Sequence, residues 1–505
     1  MRNNKIALPL WCLILSIFTL VAYNGRFFRM LRQCAGENGH QLLLTLSAGL
    51  FLLAALFLLY LLLAFLGRFV GKCVIALSFL VNAVTLYSLR MYNALVSEEM
   101  MANTFLSKYS EISGYISLPY FIWFFFLGLL PAAYVLLRKV DYGSWKRFLS
   151  AALLALAVAA AVVAGNWSKK AWVQEHALEL GGSQMPWSWA VNSVRFFYHY
   201  SQPKEPEILL PDATVENGSR DVCVLVLGES ARRDHFSLYG YPRETNPYTR
   251  QDSVKALPAR AANTYTMACI REMMEPYPSE ELVEILPNYL LRAGVDVVWR
   301  TRNWGEPPVH TDKYYKVEDL QRMYPDADPR YDGILLSGLK DEILSCGKDK
   351  LFIVLHTYTN HGPEYRAGYP PEFVRFQPVG NTVRLARTDP ELIRNGYDNS
   401  LVYSDFLVHS VIETLREIPD RRCCMLYMSD HGESLGENGN YLHAAPLSMA
   451  PEEQLNVPFL IWTSDPSVRV KPMDEVTPYS LYHSVLRFLG ISSPFFDESR
   501  CVFEP

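Results

Sequence analysis

Apolar residues are distributed very unevenly along the chain, and five long runs of them fill its first third: 6–23, 42–66, 69–87, 118–137 and 148–164. Each approaches the roughly 20 residues that a helix needs to cross a bilayer core. A buried core helix is the alternative for any single run. Five in succession, with Arg and Lys kept to the connections, predict membrane helices instead. The first run lacks a small-residue cleavage pattern and four more follow, so it reads as an anchor and not as a cleaved signal peptide. With the amino terminus inside, the inner segments hold Arg2, Lys5, Arg68, Lys72, Arg138, Lys139, Lys146 and Arg147. The outer ones hold Arg26, Arg29, Arg32, Arg90 and Lys108. That bias is modest, but with an odd number of spans it places everything after Ala164 outside the cytoplasm.

Beyond the last run the pattern changes twice. "NWSKKAWVQEHALELGGSQMPWSWAVNSVRFFYHY" mixes aromatics with scattered charge. It reads either as interfacial helices along the membrane surface or as a connector packed on a soluble domain. A Pro-rich stretch, "SQPKEPEILLPDAT", reads as a linker. From Arg220 short apolar runs ("VCVLVLG", "VDVVWR", "LFIVLH", "CCMLYMS", "VPFLIW") alternate with helical stretches such as 390–417 and 478–489. Wholly apolar strands separated by helices predict a mainly parallel sheet covered on both faces. The expected organisation is α/β: a transmembrane domain of five helices (1–165), juxtamembrane helices and linker (166–217), and a catalytic domain (218–505).

Composition narrows the function classes. A net charge of −5 argues against nucleic-acid binding. Nine cysteines show no CxxC pair and no spacing that specifies a disulfide.

Ligands of parallel α/β sheets gather beyond the carboxyl ends of the strands, so the polar residues after each run matter most. "VLVLGES" delivers Glu229 and Ser230; "LFIVLHTYTNHGP" delivers His356 and His361; "MLYMSDHGE" delivers Asp430, His431 and Glu433, with His443 beyond. Between the first two strands lies the hydroxyl-rich "AANTYTMAC", with Thr264 and Thr266. Isolated buried charges cost several kcal/mol unless paired or metal-bound. Carboxylates and imidazoles converging on one sheet edge are what zinc requires, and a metal-bound hydroxyl is a usable nucleophile. Gly228-Glu229-Ser230-Ala231-Arg232 approaches the G-x-S-x-G elbow of serine hydrolases, but Arg232 is too bulky for that turn. Cys269-Ile270-Arg271-Glu272 lacks the Pro of a sulfatase formylglycine site.

The blocks "GESARRDHFSLYGYPRETNP", "HTYTNHGPEYRAGYPPEF" and "SDHGESLGENGNYLH" closely resemble signatures of the bacterial phosphoethanolamine transferases. These are enzymes of the alkaline-phosphatase-like (sulfatase-type) superfamily, and they include the lipid A enzymes of polymyxin resistance. The resemblance covers nearly the whole chain and implies five membrane helices followed by a periplasmic α/β/α domain, in a multi-pass protein of the bacterial inner membrane. It implies a catalytic zinc on Glu229, Asp430, His431 and Thr266, with Thr266 the nucleophile and Thr264 the fallback. His361 and His443 match residues for substrate phosphate or a second zinc. "NTFLSKYSE" resembles a lipid-headgroup segment, matching Asn103, Ser107 and Glu111. Glu433 and His356 are expected behind the ligands.

The implied reaction moves phosphoethanolamine from phosphatidylethanolamine to lipid A, a lipopolysaccharide core sugar or another envelope glycan, through a phospho-threonine, in a monomer. A phosphoglycerol transferase or phosphodiesterase of the same superfamily, and a membrane protein with a vestigial site, are the alternatives. The chain also departs from the family. Ala262 and Glu272 stand where cysteines flank the nucleophile in the lipid A branch, and "RTRNWGEPPVH" replaces a Cys-rich region with a phosphate-binding Lys.

Overall fold

The computed structural model describes residues 5–36, 41–92, 95–106, 118–201, 207–216, 218–380 and 383–505. It divides into two compact units, Met1–Gln202 and Pro203–Pro505.

In the first unit, Gln41–Phe65, Val70–Met91, Leu118–Leu137 and Trp145–Gly165 are long and apolar enough to cross a membrane. A fifth span is reached when Leu8–Tyr23 and Gly25–Ala35, which meet at a 61° bend, are taken as one. The bend falls at Asn24, fully buried. Its amide donates to the carbonyls of Thr19 and Met185, and its Oδ1 accepts the Met185 N–H. In the span Leu118–Leu137, Pro131 has no N–H to offer the Leu127 carbonyl, and the Tyr23 hydroxyl donates to it instead. A backbone group without a partner is too costly at membrane depth to leave unmet.

The aromatic connector folds into short helices, among them Ala177–Ser183 and Trp187–Ser201. They are fastened within the first unit: Val96 N donates to Gly182 O (2.9 Å), and the Trp189 indole donates to Asn82 Oδ1 (2.7 Å). The stretch read as a linker is partly built into the second unit, where Ile208 bridges to Val283.

The second unit is organised on one seven-stranded sheet. Its strands are β1 (Asp221–Gly228), β2 (Lys255–Arg260), β3 (Asp296–Thr301), β4 (Tyr314–Lys316), β5 (Lys350–His356), β6 (Arg422–Ser429) and β7 (Asn456–Thr463). The spatial order is β2-β7-β6-β1-β5-β3-β4. Strands β6, β1, β5, β3 and β4 are mutually parallel, whereas β7 runs antiparallel to both neighbours. A parallel return needs a crossover of a dozen or more residues, usually a helix. Between β6 and β7 the chain offers only brief strands, 3-10 turns and the four-residue helix Glu452–Leu455, so β7 comes back the other way.

All five expected strands form; β2 and β4 were not expected. Strand β2 carries a proline and two basic residues and lies at the sheet edge, where a missing N–H is tolerated. The central strands β1 and β5 are buried along their whole length, with helices such as Pro390–Arg416 and Ser480–Leu489 contributing to the core. All nine cysteines are free; Cys223 and Cys424 stand opposite each other on β1 and β6, both fully buried.

Charges at the two ends of this sheet are handled differently. At the amino ends, Asp221 is neutralised by Lys350 (2.6 Å) and Arg422 (3.0 Å). At the carboxyl ends two carboxylates face each other, and that end is the site.

Candidate functional site

Register brings the site residues level. Gly228 pairs with Ser429, and Leu227 with His356, so Glu229 and Asp430 leave adjacent strands side by side. The turn is tight: a Cβ at Gly228 would stand 2.5 Å from the Tyr427 hydroxyl. Ser230 takes a left-handed backbone (φ 51°), rare for a residue with a side chain. From there its N–H donates to Asp430 Oδ1 (3.0 Å) and its hydroxyl to Glu229 Oε1 (2.6 Å). Glu229, Asp430 and His431 are buried, and their ligand atoms lie within 4.8 Å of one another. His431 Nδ1 donates to the Gly432 carbonyl (2.9 Å); this fixes the tautomer and leaves the Nε2 lone pair facing the two carboxylates.

Burial raises both carboxyls, and their neighbours then drive them apart. The imidazoles of His431, His361 and His443 and the Ser230 hydroxyl outweigh burial at Glu229 and hold it down at about 2. At Asp430 the Glu229 charge adds to burial and carries it well above the ordinary range. Asp430 Oδ2 is buried without any donor. Two buried carboxylates, an oriented imidazole and an orphaned oxygen fit a divalent cation such as zinc. A second acidic group, Asp252, His409 and Glu413, is already neutralised by the Arg416 guanidinium, 2.9 Å from Asp252.

Thr266 opens the helix Thr266–Met274, so its hydroxyl sits where the helix dipole favours negative charge. Oγ1 donates to Glu229 Oε2 (3.3 Å) and lies 3.3 Å from His431 Nε2. Thr264 is fully buried and donates to the Ala445 carbonyl (2.6 Å). The geometry thus separates the two threonines: one faces the cluster, the other anchors a loop.

Around them runs a line of imidazoles. The His443 ring lies 4.3 Å from that of His431 and 5.2 Å from that of His361. His443 Nδ1 donates to Glu433 Oε2 (2.7 Å), and Glu433 also accepts the Tyr365 hydroxyl (2.7 Å). Burial, with the His431 and His361 charges, lowers His443 well below its ordinary value. His356 stands behind the cluster on β5, donating Nδ1 to Glu306 (2.8 Å). Asn103 lies in the helix Glu98–Leu106, but its side chain, like Ser107 and Glu111 entirely, lies outside the described residues.

The sequence reading missed Asn303, whose amide donates to Glu229 Oε2 (2.7 Å) and the Thr357 carbonyl (2.8 Å). It sits just beyond the carboxyl end of β3, where the strand-end rule would have found it. Glu306, from the same loop, was missed as well.

Glu272, on the helix that Thr266 opens, borders a cavity of about 400 Å³ also lined by Asn263, Arg271 and Glu275. Burial, then the Glu275 charge, raises Glu272 to about 7. A carboxyl raised in the fold exerts no penalty below its unfolded value near 4.5 and the full penalty above 7. Glu272→Gln is therefore expected to raise the melting temperature relative to wild type at pH 8, by on the order of 2 kcal/mol, and to leave it unchanged at pH 4. Melting curves at the two pH values check this.

A strand-end cation cluster facing a helix-borne threonine places the second unit among the alkaline-phosphatase-like α/β enzymes. The sulfatase family model matches residues 221–491, and the model described as phosphoethanolamine transferase EptA/EptB matches residues 52–200. The phosphoethanolamine transferase EptA of Helicobacter pylori is 31% identical over 82% of this chain and 81% of its own. The Kdo(2)-lipid A phosphoethanolamine 7''-transferase of Salmonella typhimurium is 26% identical over 88% of this chain and 87% of its own. Among solved structures, the integral membrane lipooligosaccharide phosphoethanolamine transferase A of Neisseria meningitidis superposes with a TM-score of 0.90 at 25% identity, covering 99% of both chains. The chain belongs to the phosphoethanolamine transferase family: it is a multi-span integral membrane enzyme with a periplasmic sulfatase-like domain.

Proposed function

We propose that this enzyme takes phosphoethanolamine from phosphatidylethanolamine onto Thr266 and passes it to lipid A or a neighbouring lipopolysaccharide sugar. The observation that carries the reading is Thr266 Oγ1 at 3.3 Å from both Glu229 Oε2 and His431 Nε2. Zinc held by Glu229, Asp430 and His431 supplies a lowered pKa for the Thr266 hydroxyl and a counter-charge for the phosphoryl oxygens.

The chain's own groups do the rest. The Thr266 proton passes towards the Glu229 carboxylate as Oγ1 bonds to phosphorus, and the bond from phosphorus to the diacylglycerol oxygen breaks. That oxygen takes up a proton, and diacylglycerol stays in the bilayer. An acceptor hydroxyl or phosphate then attacks the same phosphorus and releases Thr266. His361 and His443 hold the phosphoryl oxygens, where charge builds up, or a second zinc. The membrane unit has its reason in the donor: each acyl CH₂ drawn into water costs about 0.8 kcal/mol, so the site must work at the bilayer surface, with Asn103, Ser107 and Glu111 receiving the headgroup. The relatives named for lipooligosaccharide and Kdo(2)-lipid A support the acceptor class. The added ammonium makes an anionic surface less attractive to cationic peptides such as polymyxin.

Intact-mass measurement after incubation with phosphatidylethanolamine, with diacylglycerol assayed alongside, tests this. A phosphoethanolamine adduct on Thr266 that a chelator abolishes is expected; a zinc-loaded, folded sample with neither adduct nor diacylglycerol overturns it. Glu433→Gln, which removes the acceptor that orients His443, is expected to lower turnover about 10- to 100-fold with zinc content unchanged by elemental analysis.

A further inference from the structure

The donor headgroup carries an ammonium as well as a phosphate, and the carboxylates around the site are engaged by the protein. Glu229 accepts from Ser230, Thr266 and Asn303, Glu433 from Tyr365 and His443, and Glu306 from His356 and Thr301. Asp332 accepts the Tyr358 and Thr359 N–H groups and pairs with Arg302. What the loop after β3 presents instead is an indole.

Trp304 is fixed against the reacting centre from both sides. On one side Asn303 bonds Glu229. On the other, Gly305 presses so closely on the nucleophile helix that a Cβ there would stand 3.3 Å from Met267 Cα, one residue from Thr266. The half-buried indole lies 5.8 Å from the His361 ring and 5.3 Å from that of Tyr358. Tyr358 is itself stacked on His361 (4.8 Å) and covered by Arg302 (5.4 Å), so its faces serve the protein. His361 in turn stands next to His443 and, through it, His431. An ethanolamine chain places its ammonium only two carbons beyond the phosphate ester oxygen, and that length reaches from the imidazoles to the indole.

We propose that Trp304 is the specificity residue for the donor: its indole face receives the ammonium of the headgroup while His361 and His443 hold the phosphate. Tryptophan is the best aromatic partner for a cation. The stretch from Arg300 to Asp312 contains no lysine to compete for that place. The inference rests on the donor reading above and adds what distinguishes ethanolamine from an uncharged headgroup.

The test uses the full-length zinc-loaded enzyme, with diacylglycerol release measured from phosphatidylethanolamine and from phosphatidylglycerol, whose terminal group is neutral. Trp304→Leu is expected to raise KM for phosphatidylethanolamine about 3- to 30-fold, with kcat and phosphatidylglycerol turnover little changed, so the preference between donors falls by that factor. Trp304→Phe is expected to keep most of the preference, and guards against a leucine variant that fails to fold. An unchanged donor preference in folded, zinc-loaded Trp304→Leu overturns the inference while leaving the donor reading intact. Wild-type enzyme that releases no diacylglycerol from phosphatidylethanolamine overturns both.

Discussion

Thr266→Ala is expected to abolish formation of the phosphoethanolamine adduct and to lower transfer by at least about 10³-fold, with fold and zinc content retained. Thr266 carries the hydroxyl that faces Glu229 and His431 together, half-buried at a helix start. Two nearby hydroxyls cannot replace it. Ser230 is fully buried and donates to Glu229, and Thr264 donates to the Ala445 carbonyl. Thr264→Ala removes one loop anchor, costing about 1 kcal/mol of stability, and is expected to keep the adduct. Adduct mapping by mass spectrometry decides: an active Thr266→Ala beside a dead Thr264→Ala would reassign the nucleophile.

The second large effect concerns the cation. Asp430→Asn is expected to lose zinc and at least about 10²-fold in turnover, yet its metal-free form is expected to melt above metal-free wild type at pH 8. Without a cation, Asp430 and Glu229 confront each other in a buried place, and burial followed by the Glu229 charge raises Asp430 far above its unfolded value. An acid raised in this way destabilises the fold progressively as pH climbs from the unfolded value through the folded one; asparagine has no such penalty. The substituted amide also keeps an oxygen for the Ser230 and His431 N–H groups that Oδ1 accepts, and puts an N–H donor where Oδ2 now has none. Zinc reverses the order by binding only the wild-type fold. Calorimetry of both proteins with and without chelator measures all four states. Metal-free Asp430→Asn melting below metal-free wild type would mean that the facing carboxylates are not in conflict and that the case for a cation fails.

Much of this was legible because apolar strands announce themselves and polar residues directly after them have few reasons to be there. Glu229, Asp430 and His431 were readable in that way, although the first lies far from the other two in the chain. What stayed hidden depends on contacts between distant segments. The bend after Tyr23 is held by Asn24 gripping Met185, a partnership that local periodicity cannot encode. Strand β2 was passed over because Pro258 argues against a strand wherever edge and centre cannot be told apart. The direction of β7 depends on a missing crossover helix, which apolarity does not record. The two threonines differ only in what they face, and Asn303 looked like an ordinary loop residue until Glu229 came within 2.7 Å.

The free thiols have a consequence for how the enzyme is made. A periplasmic domain meets oxidants as it emerges from the membrane, and many such domains wait on disulfide formation before they are stable. Here Cys223 and Cys424 lie inside the sheet, and burial, then its neighbour Cys223, raises Cys424 well above the ordinary thiol range, so the reactive thiolate is withheld. Maturation after export then rests on packing alone. Thiol reductants leave the folded enzyme untouched, and a cell short of oxidising power still assembles it.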